Sequence, residues 1–352
     1  MKIENIEVWK ESFALVRPYT IAFRTISEVD NIIVKLVSGD KLGLGAASPE
    51  RFVTGETLEA TEAALKPERL EFLKGSNLEQ SLEHLKRDFH STPAARAAVE
   101  IALYDLVAQE AGKPLVEFFG RKHKRLPTSI TIGIKGVRET LDEAEEYIGR
   151  GFSILKVKLG KDFELDIERV LKLREAIGDD VRVRLDMNQG YGPKEVVSFW
   201  ERAKAAHFEF VEQPMLAAAT GMLRSLPADI RKQIAADESL LSPEDAKALV
   251  SPEPACGIFN IKLMKCGGPS SARMIAQTAA DNGIELMWGC MDESAISIAA
   301  ALHTAYACSA TRYLDLDGSF DLGRDLVEGG FVVEKGEMYL TDAPGLGVRL
   351  LG

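Results

Sequence analysis

The sequence predicts an α/β protein in which a parallel barrel of alternating strands and helices is joined to a smaller α+β domain. From residue 126 onward, apolar stretches recur about every 25 to 30 residues and most precede an amphipathic helical stretch, as in a (β/α)8 barrel. Residues 1–125 follow a different order, with strand-like stretches first and helical stretches later. The 352 residues exceed the roughly 250 that a barrel needs, which leaves enough chain for a second domain.

Residues 1–125 are expected to form the α+β domain. Apolar and polar residues alternate, as in an antiparallel meander, at 3–9, 13–16 and 31–37, with a polar loop at 17–28. A helix is predicted to begin at Pro93, which suits the first helical position, with Thr92 as its cap. The turn-rich segment 321–352 has two short strand-like stretches, which are expected to rejoin this domain.

Residues 126–320 are expected to form the barrel. Its strands are predicted at 129–134, 154–158, 181–186, 208–212, 234–237, 258–262, 285–289 and 313–316. Helices are predicted between most of them, at 163–177, 194–206, 244–250, 269–282 and 293–308. The helix that should follow the eighth strand has only a weak pattern.

Composition narrows the function. The formal net charge of −11 argues against binding to nucleic acid or to an anionic membrane surface. No apolar run approaches the length of a membrane span, and the N-terminal residues lack the apolar core of a signal peptide, so a cytoplasmic location is expected. A small-molecule ligand is therefore the expected partner, and homo-oligomerisation stays open.

Charged and polar residues close most of the predicted barrel strands. Because active sites of such barrels lie at the C-terminal strand ends, these residues are candidates for the site. One charged residue at a strand end is usually a turn signal, but so many on neighbouring strands are hard to explain by turn chemistry. They are Lys156 and Lys158, Asp186 and Asn188, Glu212, Asp237 and Glu238, Lys262, and Asp315 and Asp317.

Asp186, Glu212 and Asp237 come from three adjacent predicted strands. Three carboxylates brought together would repel one another unless a cation lay among them. A set of oxygen ligands without His or Cys favours a hard divalent ion, and we expect one Mg²⁺ per subunit.

Lys158 comes one strand before this acidic triad and Lys262 one strand after it, so they should face each other across a bound ligand. Two such bases fit a 1,1-proton transfer, in which one removes the proton alpha to a metal-bound carboxylate and the other returns a proton to the opposite face. Lys156 would lower the pKa of Lys158 through its positive charge. Taken alone, the stretch 154–159 fits an edge strand with a solvated lysine face equally well.

The order of these motifs resembles the muconate-lactonising subgroup of the enolase superfamily over almost the whole chain. The motifs are Lys156-Val157-Lys158, Asp186-Met187-Asn188, Glu212-Gln213-Pro214, Asp237-Glu238-Ser239 and Asn260-Ile261-Lys262. The resemblance implies a (β/α)7β barrel with a capping domain made from both ends of the chain. It also implies Lys158 and Lys262 as catalytic residues, the acidic triad as metal ligands, and supporting roles for Lys156, Asn188 and Glu238.

The subgroup includes cycloisomerases, o-succinylbenzoate synthases, N-acylamino acid racemases and dipeptide epimerases. Asp315-Leu316-Asp317 resembles the dipeptide epimerases, in which this pair binds the substrate α-ammonium group; a strand-end turn with Gly318 at its corner is the simpler alternative. The resemblance thus implies an isomerase that inverts the α-carbon of the C-terminal residue of a dipeptide through a metal-stabilised enediolate. The alternatives are L-Ala-D/L-Glu epimerase of cell-wall peptide metabolism, N-acylamino acid racemase and o-succinylbenzoate synthase.

The substrate side chain is the least determined feature. Arg24 matches the position of an arginine that meets glutamate in Ala-Glu epimerases, whereas Glu50, Asp292 and Glu293 would repel glutamate and favour a cationic side chain. Glu293 could instead lie in the first turn of the seventh helix, and Glu50 and Asp292 could neutralise Arg24. We therefore expect a cationic or hydrophobic dipeptide over Ala-Glu, with Thr131 as a further substrate-binding residue.

Two other protein classes compete with an isomerase. A catalytically silent barrel is disfavoured because both lysines and all three carboxylates are present. A metal-dependent hydrolase is disfavoured because such barrels usually use histidine ligands and no histidine ends a predicted strand.

Overall fold

The structure is a computed structural model that describes residues 2–21 and 24–351, and the side chains of residues 19–25 lie outside this description. The strands are β1 (Asn5–Ile21), β2 (Arg24–Ser38), β3 (Lys41–Ala47), β4 (Leu126–Pro127), β5 (Ile130–Ile132), β6 (Ile154–Lys158), β7 (Arg182–Asp186), β8 (Val211–Glu212), β9 (Ile234–Ala236), β10 (Ile258–Ile261), β11 (Glu285–Trp288), β12 (Thr311–Leu314), β13 (Val327–Gly329), β14 (Phe331–Glu334), β15 (Glu337–Leu340) and β16 (Val348–Leu350). The helices are α1 (Arg51–Thr54), α2 (Leu58–Ala64), α3 (Pro67–Leu70), α4 (Leu78–Asp88), α5 (Pro93–Glu110), α6 (Leu115–Phe119), α7 (Val137–Gly149), α8 (Phe163–Ile177), α9 (Pro193–Ala203), α10 (Thr220–Leu223), α11 (Ala228–Lys232), α12 (Pro243–Val250), α13 (Leu263–Cys266), α14 (Pro269–Asp281) and α15 (Ala295–Tyr306).

The N-terminal part is an antiparallel sheet of β1, β2 and β3 that packs against the buried helix α5. Two glycines permit this close packing, since a Cβ on Gly45 would lie 1.8 Å from the carbonyl oxygen of Ala98, and one on Gly43 would lie 2.2 Å from that of Ala102. The predicted loop at 17–28 is wrong. Strand β1 continues to Ile21 past a register shift, and β2 pairs with it from Arg24 onward.

The cap of α5 also differs from the sequence prediction. Thr92 occupies the N-cap position but makes no capping hydrogen bond with its side chain. The buried carboxylate of Glu56 accepts hydrogen bonds from the backbone N–H groups of Ala94 at 2.6 Å and Ala95 at 3.1 Å. A residue distant in sequence therefore satisfies the helix N-terminus.

The barrel consists of eight parallel strands in chain order, from β5 to β12. The N–H of Ser129, just before β5, donates to the carbonyl of Leu314 in β12 at 3.0 Å, and a bridge between Thr128 and Leu314 joins the same two edges. Helices connect each pair of successive strands, and β12 is followed by short strands instead of a helix. The predicted α/β class and barrel are confirmed, as a (β/α)7β barrel with a capping sheet.

Helix α7 is absent from the sequence prediction. Its apolar residues Val137, Leu141, Ala144 and Ile148 follow helical spacing, and Leu141 and Ile148 pack partly buried against the core, so the sequence carried a helical signal that the prediction overlooked.

The C-terminal segment attaches to both parts of the molecule. Strand β15 pairs with β4 at the entrance to the barrel, and β13 pairs with β16. The N–H of Leu115 donates to the carbonyl of Gly345 at 2.8 Å, and the N–H of Leu346 donates to the buried carboxylate of Asp105 on α5 at 2.8 Å. Within the described residues, no helix combines the length and the apolar character required to cross a membrane.

Candidate active site

Strand register brings the predicted acidic residues to one end of the barrel. Lys158 pairs with Asp186 across β6 and β7, and Asp186 pairs with Glu212 across β7 and β8. Asp237 directly follows β9 and Lys262 directly follows β10. All five residues therefore lie at the carboxyl ends of consecutive parallel strands, the usual location of a barrel active site.

Lys156 lies beneath this mouth with its ammonium group surrounded by carboxylates. Its Nζ is 2.8 Å from Glu212 Oε2, 2.8 Å from Asp315 Oδ2 and 3.2 Å from Asp186 Oδ2, and the side chain is buried. Burial alone would lower the pKa of Lys156, but the three carboxylates outweigh it and raise the pKa well above its usual value. We expected Lys156 to act on Lys158 by its charge, whereas this geometry uses that charge to neutralise the acidic cluster.

Glu212 is fully buried and is held by two residues. Its Oε1 accepts a hydrogen bond from Asn260 Nδ2 at 2.7 Å, while Oε2 faces Lys156 at an angle that does not form a hydrogen bond. Burial and the nearby charge of Asp186 raise the pKa of Glu212 to about 8. The sequence motif that contains Asn260 predicted no separate role for it, and the structure places its side chain in contact with Glu212, one of the proposed metal ligands.

Asp237 pairs with two lysines. Its Oδ2 accepts from Lys262 Nζ at 2.8 Å, and its Oδ1 accepts from the buried Lys265. Although burial raises the pKa of Asp237, the two ammonium groups hold it well below its usual value. The sequence analysis did not identify Lys265. Its position three residues after Lys262, in a short helix, is the feature that could have indicated a second lysine near Asp237.

The acidic cluster has the chemistry of a magnesium site. With the present side-chain positions, residues 2–21 and 24–351 contain no group of three His, Cys, Asp or Glu side chains that is arranged to hold a metal ion. In this cluster, the buried oxygens Glu212 Oε2 and Glu238 Oε2 have no hydrogen-bond partner among the described residues. Burial and the charge of Asp237 raise the pKa of Glu238 to about 7. Carboxylate oxygens that lack a hydrogen bond and lie near Asp186 and Asp237 fit a hard divalent cation.

The two candidate bases lie on opposite sides of this cluster. Strand β6, which ends in Lys158, and β10, which precedes Lys262, are four strands apart in a barrel of eight. Lys158 is partly exposed, and its carbonyl accepts a hydrogen bond from Arg169 Nη1 at 2.9 Å. Lys262 is mostly buried. Burial by itself would lower its pKa, but the pairing with Asp237 outweighs burial and raises the pKa above its usual value.

Asp315 and Asp317 differ in their surroundings, although the sequence analysis treated them as one pair. Asp315 is bound within the barrel, where its Oδ2 accepts from Lys156 and its Oδ1 accepts from Ser129 Oγ at 2.6 Å. Asp317 is less buried, and its Oδ2 accepts from the backbone N–H of Thr131 at 2.8 Å. Burial and the charge of Asp315 raise the pKa of Asp317 to about 7.

The loop after β11 carries two of the predicted specificity residues. Glu293 is buried and accepts a hydrogen bond at Oε1 from the backbone N–H of Met291 at 2.7 Å; burial raises its pKa to about 7. Helix α15 starts at Ala295 with Ser294 as its cap, so the alternative that placed Glu293 in the first helical turn is wrong. Asn31 and Ser48 of the capping sheet both donate to the carbonyl of Asp292, at 3.2 and 2.9 Å.

The remaining predicted residues have less distinctive positions. Glu50 caps the short helix α1 by accepting from the N–H of Phe52. Asn188 is exposed, has a positive φ of 43°, and donates its N–H to Asp186 Oδ1. The side chain of Arg24 lies outside the described residues.

Comparison with known proteins places both parts of the chain in one family. Residues 3–120 match the Mandelate racemase / muconate lactonizing enzyme, N-terminal domain, and residues 139–351 match the Enolase C-terminal domain-like family. A protein of Methylococcus capsulatus named L-Lys-D/L-Arg epimerase is 57% identical, and one of the same name from Desulforapulum autotrophicum is 52% identical, each over 99% of both chains. A crystal structure of a dipeptide epimerase from Methylococcus capsulatus, complexed with Mg and the dipeptide L-Arg-D-Lys, superposes with a TM-score of 0.97 at 56% identity, covering 99% of each chain. The chain therefore belongs to the enolase superfamily, in the branch of mandelate racemase and muconate lactonizing enzyme, and is an isomerase of the racemase and epimerase kind.

Proposed function

We propose that this chain is a magnesium-dependent dipeptide epimerase that inverts the α-carbon of the C-terminal residue of a cationic dipeptide. The observation that carries the proposal is the position of Lys158 and Lys262, four strands apart around one acidic cluster. A proton removed on one face of the α-carbon and a proton delivered to the other face invert the centre, which requires two proton-transfer groups on opposite sides.

The chain's own residues have separate tasks in this reaction. Asp186, Glu212 and Asp237 would hold one Mg²⁺, and a bound Mg²⁺ supplies the positive charge that makes the α-proton of an adjacent carboxylate more acidic. Lys158 and Lys262 exchange the roles of proton acceptor and donor with the direction of the reaction. Each such proton transfer contributes roughly 10²- to 10⁴-fold to the rate.

Asp317 is proposed to bind the α-ammonium group of the substrate. It is the more exposed carboxylate of the last strand end and accepts a hydrogen bond from the backbone N–H of Thr131. Asp315, in contrast, is already paired with Lys156 and Ser129. An ammonium group gains a charge-assisted contact with Asp317, whereas an acylated nitrogen does not.

The acidic residues near the mouth support a cationic side chain on the substrate. Glu293 is buried, and burial raises its pKa to about 7 although the charge of Lys262 acts against this; Asp292 precedes it in the same loop. Glu50, on the loop after β3, adds a third carboxylate from the capping domain. The names of the two relatives, L-Lys-D/L-Arg epimerase, support the same substrate class.

The proposal is tested by incubating the protein with a dipeptide library and Mg²⁺ in D₂O and measuring the products by mass spectrometry. We expect one deuterium per molecule in dipeptides that contain Lys or Arg, and epimerisation at the C-terminal residue alone. N-acetylated copies of the same dipeptides should not react, because they lack the α-ammonium group.

Other outcomes point to the alternatives. Exchange confined to L-Ala-L-Glu would replace the cationic preference with the cell-wall reaction. Equal turnover of acetylated substrates would favour an N-acylamino acid racemase and would remove the role of Asp317. If no library member incorporates deuterium, and added EDTA changes nothing, the dipeptide epimerase proposal is wrong.

A further inference from the structure

The two candidate bases are held in different ways. The ammonium group of Lys262 is fixed directly, by its ion pair with Asp237 at 2.8 Å. The ammonium group of Lys158 has neither an ion pair nor a hydrogen bond with any residue in the described part of the chain. The position of Lys158 therefore depends on how firmly its backbone is held at the end of β6.

Arg169 on α8 holds that backbone. Its side chain is fully buried, and Nη1 donates to the carbonyl of Lys158 at 2.9 Å. Nη2 donates to the carbonyl of Gly133, after β5, at 3.0 Å, and Nε donates to Thr140 Oγ1 on α7 at 3.1 Å. One guanidinium thus ties the ends of two neighbouring strands to two helices, which its planar set of donors makes possible.

Asp166, one turn earlier on the same helix, holds the next residues. Its Oδ2 accepts from the N–H of Gly160 at 2.7 Å and from the hydroxyl of Tyr191 at 2.5 Å, and its Oδ1 accepts from Arg169 at 3.2 Å. Gly160 has a φ of +99°, and a Cβ there would lie 2.1 Å from the carbonyl oxygen of Met187. The backbone directly after Lys158 is consequently fixed to both α8 and the loop after β7.

We propose that Arg169 is a positioning residue for Lys158, which orients this base through its backbone and has no comparable effect on Lys262. The inference rests on the proposed function, because it assumes that Lys158 and Lys262 serve opposite faces of the α-carbon. A shift of a reacting group by about 1 Å can reduce a rate by about 10²-fold. Loss of the Arg169 contacts should therefore slow one of the two proton transfers selectively.

The test is solvent exchange measured separately for the two epimers of one substrate, in wild type and in Arg169→Lys. Lys158→Ala and Lys262→Ala first identify which epimer loses its α-proton to which lysine. Arg169→Lys keeps the positive charge but cannot reach all three acceptors, so we expect exchange from the Lys158-dependent epimer to fall at least about tenfold relative to the other epimer. The KM should change little, because Arg169 does not contact the site's mouth.

Arg174→Lys is the matched control. Arg174 lies in the last turn of the same helix and also donates to backbone carbonyls, those of Ala206, Gly178, Val181 and His207, none of which belongs to β6 or to the loop after it. It should lower stability without changing the ratio of exchange rates between the epimers. If Arg169→Lys slows both epimers equally, or neither, the positioning role is wrong.

A second variant covers the case in which Arg169→Lys does not fold. Asp166→Asn removes the carboxylate that accepts from both Arg169 and the N–H of Gly160, so it should lower the same exchange ratio to a smaller degree. An unchanged ratio in a folded Asp166→Asn protein would contradict the proposal. Failure of the proposed function has a different result, because the wild type itself would then exchange neither epimer.

Discussion

At the scale of the residue, the site is organised by lysines that compensate buried carboxylates. Lys156 contacts Asp186, Glu212 and Asp315, and Lys265 shares Asp237 with Lys262. Buried like charges are costly unless opposite charges accompany them, so these lysines allow the acidic cluster to fold. The two aspartates of the last strand end consequently have different surroundings, and different tasks are expected of them.

Replacement of Asp317 and of Asp315 should separate binding from stability. Asp317→Asn is expected to raise the KM for dipeptides about tenfold with unchanged stability, because it removes a charge facing the substrate ammonium. Asp315→Asn is expected to lower the free energy of unfolding by about 1 to 3 kcal/mol, because Lys156 and Ser129 lose a charged partner in the core. Steady-state kinetics and urea unfolding measure both effects. Identical behaviour of the two variants would show that they act as one pair.

Asp292→Asn should affect only cationic substrates. The carbonyl of Asp292 is held by Asn31 and Ser48, so a change of its side chain leaves the loop attached to the capping sheet. We expect kcat/KM for a Lys- or Arg-containing dipeptide to fall about tenfold, while that for a neutral dipeptide stays constant. An equal loss for all dipeptides would indicate a structural role for Asp292.

At the scale of the element, buried polar residues distant in sequence complete the helix ends. Glu56 caps α5, and Glu100 of α5 in turn accepts a hydrogen bond from the N–H of Ser270 at the start of α14. Asp325 likewise accepts from Ser294 Oγ and from the N–H of Ala295 at the start of α15. These caps join α5 to the barrel helix α14, and the barrel helix α15 to the C-terminal segment.

Glu56→Ala should destabilise the protein far more than Thr92→Ala. Glu56 accepts from two helix N–H groups and from the hydroxyl of Thr61; its loss leaves the buried N–H groups of Ala94 and Ala95 without this acceptor, while Thr61 can still donate to the carbonyl of Thr57 at 3.0 Å. The expected decrease in the free energy of unfolding is about 1 to 3 kcal/mol, measured by urea denaturation. Thr92→Ala, at the N-cap position itself, should change it by less than about 0.5 kcal/mol. A larger decrease in the free energy of unfolding for Thr92→Ala than for Glu56→Ala would show that Thr92 caps the helix.

The barrel strands could be predicted from the sequence because they are short apolar runs, most of which end at a charged residue, as in β6 and β7. Two elements were missed: α7, although its Leu141, Ala144 and Ile148 follow helical spacing, and the far part of the hairpin of β1 and β2, because it continues through polar residues. In the site, the strand-end rule brought Asp186, Glu212 and Asp237 together. Contacts across long sequence distances, such as Lys156 with Asp315 or Glu56 with α5, follow from tertiary packing, which no local pattern reports.

At the scale of the whole molecule, His303 joins three segments of the chain. It lies on α15 of the barrel and is fully buried. The N–H of Val116, on α6, donates to its Nδ1 at 2.9 Å, so the proton is on Nε2, which faces the carbonyl of Leu346 in the C-terminal segment at 3.3 Å. The contact with Val116 requires the neutral imidazole, because protonation would replace the acceptor Nδ1 with a second donor, whereas Nε2–H donates to Leu346 in either form.

His303 should make the stability of the folded protein depend on pH in mildly acidic solution. Burial lowers its pKa from 6.5 to about 3, so between these values the unfolded chain binds a proton that the folded protein does not. The contribution of neutral His303 to the free energy of unfolding is therefore fully present above pH 6.5 and decreases as the pH falls. At pH 4 the loss is on the order of 3 kcal/mol. Urea unfolding of wild type and His303→Gln at pH 7 and pH 4 measures it: the variant should lose less stability between the two values by about that amount. His90→Asn, at an exposed position, is the control and should lose as much stability as the wild type. If His303→Gln shows the same pH dependence of stability as the wild type, His303 takes up its proton without opening the junction between α6, α15 and the C-terminal segment.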